Sequence, residues 1–176
     1  MNAIPIWSNN FGLSNIATTG LVLDAFSIWK TDTFPLRTIQ LPYYHHSVEK
    51  MKVIFKKQTP PLITQVLSKA LLLAGANDGC RVKINYVLLK NFNDDPSTVA
   101  TLLGLLAPFR DDIVVKLSFL NPTLPSERLS LCSPQIFKFH ELFKVVTDAG
   151  FSCYIFGTEE DAQIGCGQLA VQSFRR

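Results

Sequence analysis

Four groups of residues in this chain have the types and spacing to do chemistry. The first lies in "DAQIGCGQLA", residues 161–170, where Cys166 stands between Gly165 and Gly167. Glycine on both sides removes steric bulk and frees the backbone, so a thiol there can meet a large substrate. The same small residues equally let a C-terminal segment pack closely on a sheet. The second is His45-His46 with Glu49 nearby. Such a trio can supply two metal ligands, or a ligand and a base. A metal site needs a further ligand that the sequence does not identify, so the pair reads as the solvated start of a helix. The third is Asp94-Asp95. Paired carboxylates can act as acid and base, yet Asp95 directly before Pro96 is accounted for by helix capping. The fourth is a set of cations, Lys50, Lys52, Lys56, Lys57 and the tail pair Arg175-Arg176. These could touch phosphates; as lysines on one helix they read first as a solvated face. His140, between apolar helical positions, reads as half-buried. No spacing supports a Cys166–histidine nucleophilic pair.

Composition bounds what these groups can belong to. The 176 residues are expected to form one domain. They are 47% hydrophobic and 18% charged, enough for a substantial core. The longest apolar run, "ALLLAGA", is too short to span a bilayer, and "MNAIPIWSNN" lacks the pattern of a secretion signal. The expectation is therefore a cytoplasmic protein with reduced thiols and no membrane contact. A net charge of +3 permits nucleic-acid binding without demanding it. The four cysteines, Cys80, Cys132, Cys153 and Cys166, are far apart. That spacing excludes a local zinc knuckle, a C-x-x-C pair and a C-x-x-x-C-x-x-C loop, and no metal ligands are assigned.

The elements that must position these residues alternate. "RVKINYVLL" (81–89) places Val82, Ile84, Tyr86 and Leu88 on one face at period two. "IVVKLSFL" (113–120) does the same with Ile113, Val115, Leu117 and Phe119. "RTIQL" (37–41), "FSCYIF" (151–156) and "NIATT" (15–19) are shorter strands. Thr59-Pro60, Asp95-Pro96 and Ser133-Pro134 each offer a capping side chain followed by proline, as at a helix start. Behind them run apolar stripes: Leu62, Val66, Ala70 and Leu73; Val99, Leu102, Leu103 and Leu106; Ile136, Phe139, Phe143 and Val146. Gly150 stops the last helix. Strand–helix alternation predicts an α/β fold of mainly parallel strands with right-handed crossovers. Ligands in such folds sit at the C-terminal ends of the strands. That places Thr18, Thr19, Gln40–Pro42, Lys90–Asp94 and Asn121 around the expected site.

These strand ends and the tail resemble one family. "FGLS" (11–14), "TTG" (18–20), "IQLPYYHHSVEKMKVIFKKQ" (39–58), "VKINYVLLKNFND" (82–94), "KLSFLNP" (116–122) and "DAQIGCGQLA" follow an order similar to the RlmN/Cfr-type radical SAM RNA methyltransferases. The resemblance covers nearly the whole chain and about the C-terminal half of a family member. It implies a radical SAM-like partial (β/α) barrel that lacks the first strands. It also implies methylation of carbon 2 of an adenine in RNA, with S-adenosylmethionine and a 4Fe-4S cluster as the family's cofactors. By the same resemblance Cys166 matches the methyl-carrying cysteine, Asn121 a strand-end asparagine that contacts S-adenosylmethionine, and Thr18 or Thr19 a cofactor-contacting serine.

The departures from the pattern carry as much weight. The C-x-x-x-C-x-x-C loop is absent, and the family's Ser-Leu-His at a strand end is Gln40-Leu41-Pro42 here. A cluster needs closely spaced thiolates, so no cofactor is expected in this chain itself. The first expectation is a cluster-less relative that works as a non-catalytic module binding RNA or protein. The alternative is that Cys166 serves a methyltransferase whose cluster-binding half lies on another chain. A barrel without its first strands also has an open sheet edge. A protein partner, a homodimer, or Ile4, Ile6, Trp7 and Phe11 of the N-terminal segment would cover it.

Overall fold

The computed structural model describes residues 14–17, 36–55, 59, 61–76, 79–121 and 123–157. Five parallel strands form one sheet: β1 (Ser14–Ala17), β2 (Leu36–Tyr43), β3 (Arg81–Val87), β4 (Ile113–Ser118) and β5 (Ser152–Phe156). Their spatial order, β1-β2-β3-β4-β5, is their chain order. Each crossover therefore steps the same way. Right-handed crossovers that never reverse keep the described connecting helices on one side of the sheet. The helices are α1 (Val48–Ile54), α2 (Ile63–Gly75), α3 (Pro96–Leu106), α4 (Leu124–Arg128) and α5 (Ile136–Asp148), with a 3-10 turn over Ala107–Asp112.

The period-two apolar positions explain which face the helices cover. Ile39, Val82 and Ile113 share one row of the sheet; Leu41, Ile84 and Val115 share the next; Tyr43, Tyr86 and Leu117 the third. All nine are buried. Against them pack Val66 and Ala70 of α2, Val99, Leu102, Leu103 and Leu106 of α3, and Phe139, Leu142 and Val146 of α5. Phe119 stacks on Phe139 with ring centroids 3.9 Å apart. Every strand read from the sequence is present, and β2 runs two residues further than "RTIQL". In the last helix the stripe is shifted: Leu142 is buried, whereas Ile136 is 45% exposed.

Only one of the three cap-plus-proline signals starts a helix where the sequence places it. Asp95 caps α3: its Oδ1 accepts from the Thr98 amide (2.9 Å), and Pro96 opens the helix. Burial pushes the Asp95 carboxyl up, but bonds from the Ser97 hydroxyl and from the Thr98 hydroxyl and amide outweigh it. They hold the group well below the usual carboxylate range. Asp95→Ala is expected to cost about 1–2 kcal/mol in urea unfolding. The other two starts are corrected. Helix α2 begins at Ile63, where the Leu62 amide donates to Gln65 Oε1 (2.9 Å). Helix α5 begins at Ile136 after Gln135. Ser133 is used elsewhere: its Oγ accepts from the Leu120 amide (2.7 Å). Gly150 does stop α5, at φ +84°, and an added Cβ would lie 2.9 Å from Arg110 Nη1. No helix among the described residues is long and apolar enough to cross a membrane.

Candidate nucleic-acid interface

The alternate strand positions face away from the helices. Gln40, Lys83, Val114 and Ser152 form one row; Pro42, Asn85, Lys116 and Tyr154 the next; Val87, Ser118 and Phe156 the last. This face mixes polar and apolar residues where the other is almost wholly apolar, and its polar side chains are organised. Lys116 Nζ donates to Gln40 Oε1 (3.3 Å) across the intervening strand. The same ammonium lies 3.7 Å from the centroid of Phe156. Ser118 Oγ donates to Asn85 Oδ1 (2.6 Å), and Lys83 Nζ stands 5.9 Å from the Tyr154 ring centroid. Arg81 pairs in register with Thr38 at the N-terminal end of the same face. The strand segments 36–43, 81–87, 113–118 and 152–156 contain no aspartate or glutamate. The face therefore carries positive charge without carboxylates on its own strands to neutralise it.

At the C-terminal ends of β2 and β3 one buried side chain joins the loops. Asn93 is fully buried. Its Oδ1 accepts from the Leu89 amide (2.7 Å), while Nδ2 donates to the carbonyls of Tyr44 (2.8 Å) and Val87 (2.9 Å). Tyr86 Oη donates to the Asn93 carbonyl (2.5 Å). Asn91, at φ +59°, makes the turn that brings Asn93 back under the strand, and its amide donates to Asp94 Oδ1 (2.9 Å). Both carboxylates of the Asp94-Asp95 pair thus accept backbone hydrogen bonds. The loop before α5 is tied in by the Lys90 amide, which donates to the Cys132 carbonyl (2.9 Å). Asn121 is half-buried just beyond β4, on the expected rim.

The reading of His45-His46 as a solvated helix start is overturned. His45 is 2% exposed and packs edge-on against Phe92, and its ring centroid lies 4.2 Å from that of His46. Ser47, not a histidine, caps α1 through the Lys50 amide (3.3 Å). The Ser47 amide donates to His45 Nδ1 (2.8 Å). A nitrogen that accepts carries no proton, so the neutral ring holds its proton on Nε2. The Nδ1 lone pair is thus engaged by the Ser47 amide. His140 is exposed rather than half-buried, because Phe139 and Leu142 take the inward positions of α5. Lys50 and Lys52 lie on the exposed side of α1, as their spacing implies.

No family model matches the chain. It is similar, at 31% identity over 170 residues, to a probable dual-specificity RNA methyltransferase RlmN of Dictyoglomus thermophilum, covering 93% of this chain and 45% of that protein. A dual-specificity RNA methyltransferase RlmN of Sorangium cellulosum is 33% identical over 92 residues. The chain is related to the RlmN-type radical SAM methyltransferases. The fold agrees. The crystal structure of a radical SAM methyltransferase from Sphaerobacter thermophilus superposes with a TM-score of 0.66 at 20% identity, over 88% of this chain and 43% of that one. A domain of a pyruvate-formate lyase-activating enzyme from Bacteroides vulgatus matches over its whole length with a TM-score of 0.55 at 12% identity. The single-direction sheet is therefore a radical SAM-like α/β fold. This RlmN relative spans less than half the length of the Dictyoglomus protein.

The residues that the resemblance assigns divide accordingly. Asn121 lies at the strand ends; Thr18, Thr19 and Cys166 lie outside the described residues, as do Lys56, Lys57, Arg175, Arg176 and the N-terminal segment. The described cysteines do not fit a cluster. Cys80 precedes β3 at the N-terminal end of the sheet, Cys132 lies in the loop before α5, and Cys153 faces the helices from β5. Burial pushes the Cys153 thiol up to about 12 and raises Cys80 as well, against the thiolate that iron requires. No group of three or more potential ligands occurs among the described residues. Sequence reading missed Lys83, Asn85, Lys116 and Ser118. Their signal was available: each interrupts an apolar strand at the period-two position opposite the buried set, where a sheet covered on both faces would be apolar.

Proposed function

We propose that this RlmN relative is an RNA-binding module that performs no radical chemistry by itself. The observation that carries the reading is the sheet face that no described helix covers, with Arg81, Lys83 and Lys116 on it and no acidic residue in strands β2 to β5. A polyanion is the ligand whose charge such a face complements. The named RNA methyltransferases to which the chain is similar support the same choice of ligand. The sequence offers no C-x-x-x-C-x-x-C loop, and the described thiols are dispersed. S-adenosylmethionine, a sulfonium cation, finds no counter-charge on the described strand faces.

The test combines two measurements on the purified chain. Iron and sulfide analysis after anaerobic isolation should find no stoichiometric cluster. Fluorescence anisotropy with structured cellular RNA should show binding that weakens steeply with salt. A fully occupied cluster on the isolated chain overturns the non-catalytic half of the reading, and salt-independent or absent RNA binding overturns the other half.

The Gly165-Cys166-Gly167 tripeptide favours a second reading, in which Cys166 carries a methyl group for a cluster-bearing partner chain. It predicts S-methylcysteine at Cys166 in peptide mass spectra of the native protein. Unchanged RNA methylation in cells carrying Cys166→Ala removes it.

A further inference from the structure

Strand β5 is an outer strand among the described ones, and its side away from the helices carries two aromatic residues, Tyr154 and Phe156. They are two residues apart and so project the same way, roughly 6.6 Å from each other along the strand. Phe156 is 56% exposed. Its ring is nonetheless held, because the Lys116 ammonium lies over it at 3.7 Å. Lys116 is anchored in turn by Gln40, and Lys83 flanks Tyr154. An exposed phenyl ring is costly in water unless a partner covers it. The cations on the next two strands, Lys116 on β4 and Lys83 on β3, disfavour a purely apolar partner and favour one that is both flat and negatively charged.

Resting on the RNA-binding reading of this face, we propose that β5 makes it selective for unpaired RNA, with bases stacking on Phe156 and Tyr154 and a phosphate meeting Lys83. A base within a duplex has both of its flat faces covered by its neighbours. An unpaired base has a free face to lay on a ring, and every base has one, so the contact is tolerant of sequence. Lys83, beside the Tyr154 ring, supplies charge that a flanking phosphate complements. An acidic peptide would satisfy the lysines and leave the rings uncovered.

The experiment compares a fluorescein-labelled unpaired decanucleotide with a fully paired hairpin, using the full chain. The unpaired strand should bind tighter by about tenfold or more. Phe156→Ala should weaken it by about 5- to 100-fold, and Phe156→Trp should retain it. Lys83→Gln should lower the slope of log affinity against log salt by about 0.7. Lys144→Gln, an exposed lysine on α5, should leave that slope unchanged. Equal binding of hairpin and unpaired strand, with Phe156→Ala unaffected, overturns this inference and leaves RNA binding standing. Competition by polyglutamate at the same charge concentration as RNA also overturns it. Failure of the wild-type chain to bind any RNA at low salt overturns both.

Discussion

Replacing Asn93 by alanine is expected to remove about 3 kcal/mol of folding stability, the largest loss from any single polar side chain described here. Asn93 is fully buried, and its side chain makes three hydrogen bonds, to the Leu89 amide and to the Val87 and Tyr44 carbonyls. Each bond contributes only about 1 kcal/mol net, but truncation strands the buried Leu89 amide and leaves two part-buried carbonyls without their donor, and the stranded amide carries its own desolvation cost. The Tyr44 carbonyl lies 49 residues away along the chain. Asn93 is thus what holds the end of β2 to the loop after β3. Asn93→Asp separates the parts of this effect: it keeps the acceptor for Leu89 and sets a carboxylate against two carbonyls. It should be as damaging as alanine near neutral pH and should recover partly on acidification, when the carboxyl becomes a donor. Urea midpoints of the two variants measure both effects. A loss below about 1 kcal/mol for the alanine variant would show that the loop holds together without this side chain.

Acidification should destabilise the wild-type chain between about pH 6.5 and pH 4 through His45. Burial is the main cause that pushes His45 down to about 4, and its neighbours His46 and Lys50 push the same way, against the opposing pull of Asp95. The unfolded ring takes up its proton near its ordinary value of 6.5, before the folded one does. In that window the unfolded state binds more protons, so stability rises with pH and is lost as pH falls. Protonation of Nδ1 also removes the acceptor of the Ser47 amide at the start of α1. The loss should be about 2 kcal/mol, less than the full linkage value because a local opening of the turn lets the ring reach water. His45→Asn places an oxygen near the position of Nδ1 and has no proton to gain. Its urea midpoint should stay flat over the same window. An equally steep pH dependence in that variant would assign the effect to other groups.

The two halves of the sheet differ in how far they could be read from sequence. The apolar half was legible because burial is imposed at every second residue: Val82, Ile84, Tyr86 and Ile113, Val115, Leu117 announce both strand and core face. Asp95-Pro96 was legible because the cap acts within three residues. Ser133-Pro134 carried the same local signal and failed, since the Leu120 amide, thirteen residues back, takes its hydroxyl. His45 was misread for a similar reason. Nothing in "YYHHSVEK" reveals that Phe92 will cover the ring.

The amino-acid order alone determined the alternation of strands and helices, the resemblance to the RlmN-type enzymes and the dispersal of the cysteines, because each depends on neighbours or on spacing along the chain. Tertiary structure alone decided which polar residues meet. Gln40 and Lys116 are 76 positions apart, and Lys116 reaches Phe156 only because β4 and β5 pair in one particular register. The single-direction strand order leaves one face of the sheet without helices among the described residues, and that long-range fact brings scattered lysines and aromatics together on it.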